Sequence, residues 1–400
     1  MRQCSPPENL AMTVFSPKHP LWLVGFRPFF ALACLAGASL PVAWILVFKG
    51  VLPAPSPHFS PVQWHAHEMF FGFGWAVLGG FLLTSTKNWV GVRGYHGATL
   101  IWLATAWLLE RLAMAFGGNW PTPLFLLASN LFVPGLIALL LATLIRHRQT
   151  DSYRLDNGFF LVALPLFWVA KLLLLAPEHF NLGWSMTLGL FRVAFLVMLE
   201  RTLTQFMRSA FQVDILRRPA LDLAIKLLAV ILVFGALLPS TLAKGLELLL
   251  ALLLLGRLAF WHPLKAFTRL DIGIMYVGYL AIVGQLLIDA LPPPGSTGWV
   301  GTVSVHLFTF GAMGLVIPAM IVRIANGHTG RKVVFTRYDK AVLWIMILAL
   351  SLRLVGPQFA PGAYLRWLDL AATCWLLAFG LLGGRYIPRL FQARIDGKEH

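Results

Sequence analysis

The residues best suited to chemistry are a few histidines near the ends of apolar stretches. The densest group is Trp64-His65-Ala66-His67-Glu68-Met69, with two imidazoles, a carboxylate and a thioether. Imidazole suits iron, copper and zinc, while a thioether favours reduced copper. Successive helical residues turn about 100°, so His65 and His67 point roughly 200° apart and do not share one ion on a regular helix. His65 and Met69, four residues apart, share a face. Ligation of a metal or haem and a hydrogen-bonded interfacial cap are both open readings of this segment.

A second group comprises His306, inside a long apolar stretch, and Gly327-His328-Thr329-Gly330-Arg331 just beyond that stretch. An ionisable side chain within a span marks a functional site by default; its alternative is a hydrogen bond to a neighbouring helix. His328 follows His306 by 22 residues, about 33 Å along a helix, so the two cannot hold one ion. The local reading of 327–331 is a glycine-capped helix end with a basic loop. Arg27, in Gly25-Phe26-Arg27-Pro28-Phe29-Phe30, and Arg323 could bind an anion such as a haem propionate in bidentate fashion. Contact with lipid phosphate, or snorkelling, is the alternative for both.

The elements that must position these groups are membrane helices. Of the 400 residues, 58% are hydrophobic and 12% charged, against roughly 25% charged in soluble domains. Apolar stretches of bilayer length fall near 24–48, 65–86, 98–116, 122–146, 157–176, 184–207, 221–239, 244–262, 272–291, 299–324, 341–356 and 363–385. That predicts an all-α polytopic membrane protein of about twelve spans, one integral domain over 1–400, without a large soluble domain. Breakers divide the spans: Pro53-Ala54-Pro55, Gly117-Gly118, Pro177, Pro239 and Pro292-Pro293-Pro294-Gly295.

The net charge of +16 does not indicate nucleic acid, because Lys and Arg cluster in alternate loops between spans. These are Lys87/Arg93, Arg146/Arg148/Arg154, Arg208/Arg217/Arg218, Lys265/Arg269, Arg331/Lys332/Arg337/Lys340 and Arg385/Arg389/Arg394/Lys398. The positive-inside rule then places both termini in the cytoplasm and the His65 and His306 ends of their spans outside. Cys4, Cys34 and Cys374 form no CxxC pair, and the polar first twenty residues lack the apolar core of a signal peptide. Within the spans lie Glu110, Arg111, Lys171, Arg192, Glu200, Arg201, Lys226, Glu247, Arg257, Asp289 and Asp369. Their partners must sit on other helices. The chain lacks the paired histidines of a haem–copper oxidase core, the histidine spacing of a cytochrome b bundle, and Walker, Gly-x-Ser-x-Gly and His-Glu-x-x-His motifs.

Taken together, these motifs resemble the NnrS family of bacterial membrane proteins. The resemblance runs through Gly25–Phe30, Trp64–Met69 with Gly72-Phe73 and Gly79–Thr84, Asn88-Trp89, His306 with Gly311, Arg323 with Gly327–Arg331, Trp375–Phe379 and Arg394–Gly397. It implies twelve spans in the bacterial cytoplasmic membrane, non-covalent b-type haem, copper, and a role in the response to nitric oxide or in denitrification. It makes His65, His67, His306 and His328 the leading ligand candidates, with Met69 and Tyr276 as further metal-site candidates. Tyr276 stands where the family usually has histidine; phenolate can ligate haem iron but serves copper poorly. Glu110 and Glu200 replace common glycines. The resemblance implies a diatomic such as nitric oxide and an electron donor as partners. Two further classes stay open: a transporter or channel for a small solute or metal, weakened by the lack of an internal repeat, and an oxidoreductase that reduces nitric oxide.

Overall fold

In a computed structural model, residues 13–151, 154–292 and 298–398 are described, the side chains of 154–156 excepted. Cys4, the first twelve residues, Pro293-Pro294-Gly295 and the side chain of Arg154 lie outside that description. The described chain is helical and contains no strand. Its helices of eight residues or more are α1 (Phe26–Phe48), α2 (Pro61–Val90), α3 (Ala98–Asn119), α4 (Thr122–Ser129), α5 (Phe132–Arg146), α6 (Arg154–Leu175) and α7 (Pro177–Phe211). They continue as α8 (Pro219–Leu237), α9 (Ser240–Ala259), α10 (Leu270–Ala290), α11 (Val303–His328), α12 (Arg337–Phe359) and α13 (Pro361–Leu390).

The all-α membrane architecture is the one the composition requires, but the spans are cut differently. Among the described residues ten helices are long and apolar enough to cross a bilayer, and the pair α4 and α5, bent by 43°, supplies an eleventh. The bend falls at Asn130-Leu131, where Asn130 Nδ2 donates to Leu126 O at 3.0 Å. The twelfth expected segment is α9, whose 20 residues carry Lys244, Glu247 and Arg257. It has the length to span, but every 18-residue window in it carries all three of these charges.

Local sequence explains the helix starts and stops. Ser60 caps α2 through a capping box with Gln63, and Pro61 takes the first position, where its missing N–H costs nothing. Gly91 closes α2 at φ +69°, a left-handed conformation natural to glycine. Thr336 and Asp339 form the same box at the start of α12.

Helices α2, α7, α10 and α11 are the most buried of the spans. Helix α1 packs along α13 and α2, α12 against α13, α10 against α11, and α6 against α7. The perimeter of α8, α9 and α12 presents Leu223, Leu227, Ile231, Leu252, Trp344 and Leu348 outward, the surface lipid tails require. Both α2 and α11 contain a seven-residue π-helical stretch, Glu68–Gly74 and Leu307–Met313. Such wide turns are rare and concentrate at functional sites. Each begins within three residues of a candidate ligand: His65 and His67 in α2, His306 in α11. Widening the turn disturbs the backbone ladder, and Trp107 of α3 compensates by donating its indole N–H to Gly72 O at 3.0 Å.

Candidate functional site

His65 and His306, 241 positions apart in sequence, line one cavity of about 400 Å³ at the same end of the bundle. That volume lies within the usual range of small-molecule sites, about 300–1,000 Å³. Its walls are largely aromatic, from Trp44, Phe70, Trp184, Phe310 and Trp375, and Met69 joins them. The His65 ring stacks on Trp44, centroids 4.2 Å apart and planes 13° from parallel. His306 Nδ1 lies 2.8 Å from Thr302 O. A carbonyl only accepts, so Nδ1 carries the proton and Nε2 keeps the lone pair.

Arg353 of α12 completes this cavity, and nothing in its local sequence announces it. Its Nη2 is 3.2 Å from Nδ1 and 3.3 Å from Nε2 of His306, and 3.4 Å from Thr302 Oγ1. The guanidinium also sits 5.8 Å from the Tyr364 ring centre. The cavity therefore holds two imidazoles, one thioether and one cation inside an apolar shell.

His67 faces the other way, as its position two residues from His65 demands. Its Nδ1 is 3.0 Å from Glu68 Oε1 and its Nε2 3.3 Å from Glu110 Oε1. Glu110, on α3, also meets Lys171 Nζ of α6 at 2.7 Å and Arg111 Nη2 at 3.1 Å, while Arg111 Nη1 reaches Glu68 at 3.1 Å. Lys171 donates in addition to Ser129 O. Both ring nitrogens of His67 thus face carboxylates, in a largely buried five-residue cluster outside the walls of the donor cavity.

The remaining candidates lie elsewhere. Arg27 is fully buried at the opposite end of α1, its Nη1 donating to Leu390 O at 2.9 Å and Gln392 O at 2.6 Å. It caps the C-terminus of α13, where carbonyls lack helical partners. Arg323 bonds Asp271 at 2.7 Å and stacks on Phe206 at 4.2 Å. Each arginine stands about 20 Å along its helix from the nearest wall residue of the cavity, Pro41 or Phe310. Neither reaches a cofactor seated in that cavity. His328 packs its ring 5.4 Å from that of Phe26 at the Arg27 end. Tyr276, fully buried, donates to Trp261 O at 2.6 Å. His65, His306 and Met69 are brought together; His67, His328, Tyr276, Arg27 and Arg323 are not.

A second charged cluster surrounds Glu200 of α7. It accepts from Arg257 Nη1 of α9 at 3.1 Å, contacts Lys226 Nζ of α8 at 3.3 Å, and pairs with Arg217. Asp222 joins through Arg217 Nε at 3.1 Å. These are the partners on other helices that the sequence required without naming.

A sequence model described as NnrS protein matches residues 20–394. The chain belongs to the NnrS family. The match spans the donor cavity, both π-helical stretches and both charged clusters of this NnrS chain. No curated protein matches the chain.

Proposed function

We propose that this NnrS-family protein holds a b-type haem between His65 and His306 in the bacterial cytoplasmic membrane, and that the haem binds nitric oxide or a similar diatomic in a protective or sensing role. The observation that carries the reading is the meeting of these two imidazoles, from α2 and α11, in one aromatic-walled cavity.

The residues fit such a group. Trp44 holds the His65 ring by stacking, and the bond to Thr302 O directs the lone pair of His306 to Nε2. Trp184, Phe310 and Trp375 offer a macrocycle apolar surface and exclude water. Arg353 supplies the positive charge a propionate needs, the role first assigned to Arg27 and Arg323. If bound there, haem would supply an iron at which a diatomic can bind in exchange for one of the two imidazoles, tuned by the polarity of the pocket. Met69 lines the same cavity, and its thioether with an imidazole makes reduced copper the alternative occupant to haem. Tyr276 contributes nothing there, since its hydroxyl is engaged with Trp261 O.

Arg27, Lys87, His328, Arg331, Arg389 and Arg394 gather at the end of the bundle opposite the cavity. The positive-inside rule assigns that end and both termini to the cytoplasm, and the cavity to the outer leaflet. Glu110, Arg111, Lys171, Glu200, Lys226 and Arg257, more than half of the charges within the spans, bind one another in two clusters instead of lining a solute route, which favours a binding protein over a transporter.

Absorption spectra and metal analysis of purified wild type, His65→Ala and His306→Ala test the reading. Wild type should show a Soret band with stoichiometric iron, and each substitution should abolish or shift it. A wild-type protein with neither band nor iron overturns the reading.

A further inference from the structure

A second cavity, of about 60 Å³, lies deeper in the bundle, between the donor cavity and the basic end. Phe30, Gly74, Phe191, Met198, Met275 and Met313 are among its walls. Its polar wall residue is Thr202, whose hydroxyl already donates to Met198 O at 2.8 Å. A water needs about 10–15 Å³ and two to four polar partners. This space offers the volume without the partners, so it stays dry.

Two features give the cavity a purpose. Phe70, a wall of the donor cavity, touches Phe191, a wall of this one, with centroids 5.0 Å apart. On the other side Val77, Phe81 and Phe195 are only half-buried, on the lipid-facing perimeter. Gly74 matters to this space: a Cβ there would approach Phe191 Cε1 to 2.9 Å and Met313 Cε to 3.1 Å. Methionine at four of the wall positions, Met198, Met275, Met313 and Met320, adds polarizable, adaptable surface.

We propose that this cavity is a docking site for a small apolar gas molecule, taken from the hydrocarbon core of the bilayer and held one aromatic pair away from the donor cavity. An uncharged diatomic prefers hydrocarbon to water for the same reason that apolar side chains do, so the membrane interior is its richer source. The site deepens the function proposed above and rests on that reading only for the identity of the gas.

Methionine methyl resonances test the site directly. In full-length protein in nanodiscs, labelled with ¹³C at the methionine methyls and equilibrated with dioxygen as a paramagnetic diatomic, Met198, Met275, Met313 and Met320 should broaden several-fold more than Met186, Met207 and Met346, which are buried elsewhere. Ala194→Phe, which fills the cavity from its wall, should remove the excess; Val316→Phe is the second variant should the first not fold. Equal broadening of both sets overturns the proposal, as does excess broadening that survives the filling substitution. Neither readout requires a haem, so a protein without a Soret band sinks the function proposed above while leaving this result intact.

Discussion

Arg353 Nη2 lies within 3.3 Å of both ring nitrogens of His306. A guanidinium cannot donate in plane to both, so it stands about equally far from the two rather than forming one directed bond. It also places a positive charge inside an apolar cavity, where an anionic partner is strongly favoured.

Arg353→Gln should therefore weaken haem retention without unfolding the bundle. A hydrogen bond to a charged group contributes about 1.5–3 kcal/mol, so the dissociation constant should rise by roughly 10- to 100-fold. Haem titration followed at the Soret band measures it. Equal affinity in wild type and variant removes Arg353 from the site.

His67→Ala should behave unlike His65→Ala. It removes one partner from each of Glu110 and Glu68, which keep Lys171 and Arg111; losing a buried hydrogen bond to a charged group costs about 1.5–3 kcal/mol. A lowered thermal midpoint in detergent, with the absorption of any folded fraction unchanged, is the expected result. Spectral change with undiminished stability would return His67 to the ligand set.

Glu200→Gln should be among the most destabilising single substitutions in the chain. It leaves Arg257, buried beside it at 3.1 Å, without its closest anion, at a cost of about 3–5 kcal/mol. Chemical denaturation measures the loss. The double variant Glu200→Gln with Arg257→Met should recover part of it, because the stranded cation is gone.

Arg27→Gln and Arg323→Gln should leave the spectrum of bound haem unaltered, since both arginines stand about 20 Å along their helices from the nearest wall residues, Pro41 and Phe310. Arg27→Gln should instead loosen the end of α13 by removing the bonds to Leu390 O and Gln392 O. Hydrogen exchange of the α13 C-terminal amides is the readout.

The C-terminal segment should detach in acid. Arg394 bonds Asp396 at 2.6 Å and holds its carboxyl well below the usual range, while Arg394 also donates to His328 O and Ile395 N to Thr329 O. A carboxyl with a depressed folded value stabilises docking above its unfolded pKa, near 3.9. That contribution fades as pH falls toward the folded value. An acid-active protease should cut after residue 390 faster in Asp396→Asn than in wild type at pH 5, with the two rates converging in strong acid.

The histidine face assignments were legible in the sequence because they follow from helix geometry alone. A turn of about 100° per residue separates His65 from His67, and the two occupy a cavity and an ion cluster on opposite sides of α2. The chemistry of Arg353 was not legible. It is one arginine among leucines in Ser351-Leu352-Arg353-Leu354, and only the approach of α12 to α11 gives it a partner. Tyr276 has the same limit: its type suggests a ligand, but the Trp261 carbonyl claims it.

Composition and periodicity by themselves determined the membrane-spanning helices, their approximate bounds, the basic end of the bundle and the residue types able to hold a metal, because each depends on local chain properties and on what a bilayer tolerates. The tertiary structure decided which imidazoles meet, that α4 and α5 bend within one apolar stretch, that both ligand-bearing helices widen into π turns, and which charges neutralise one another. Those outcomes depend on distances between segments far apart in the chain, and helix packing sets those distances.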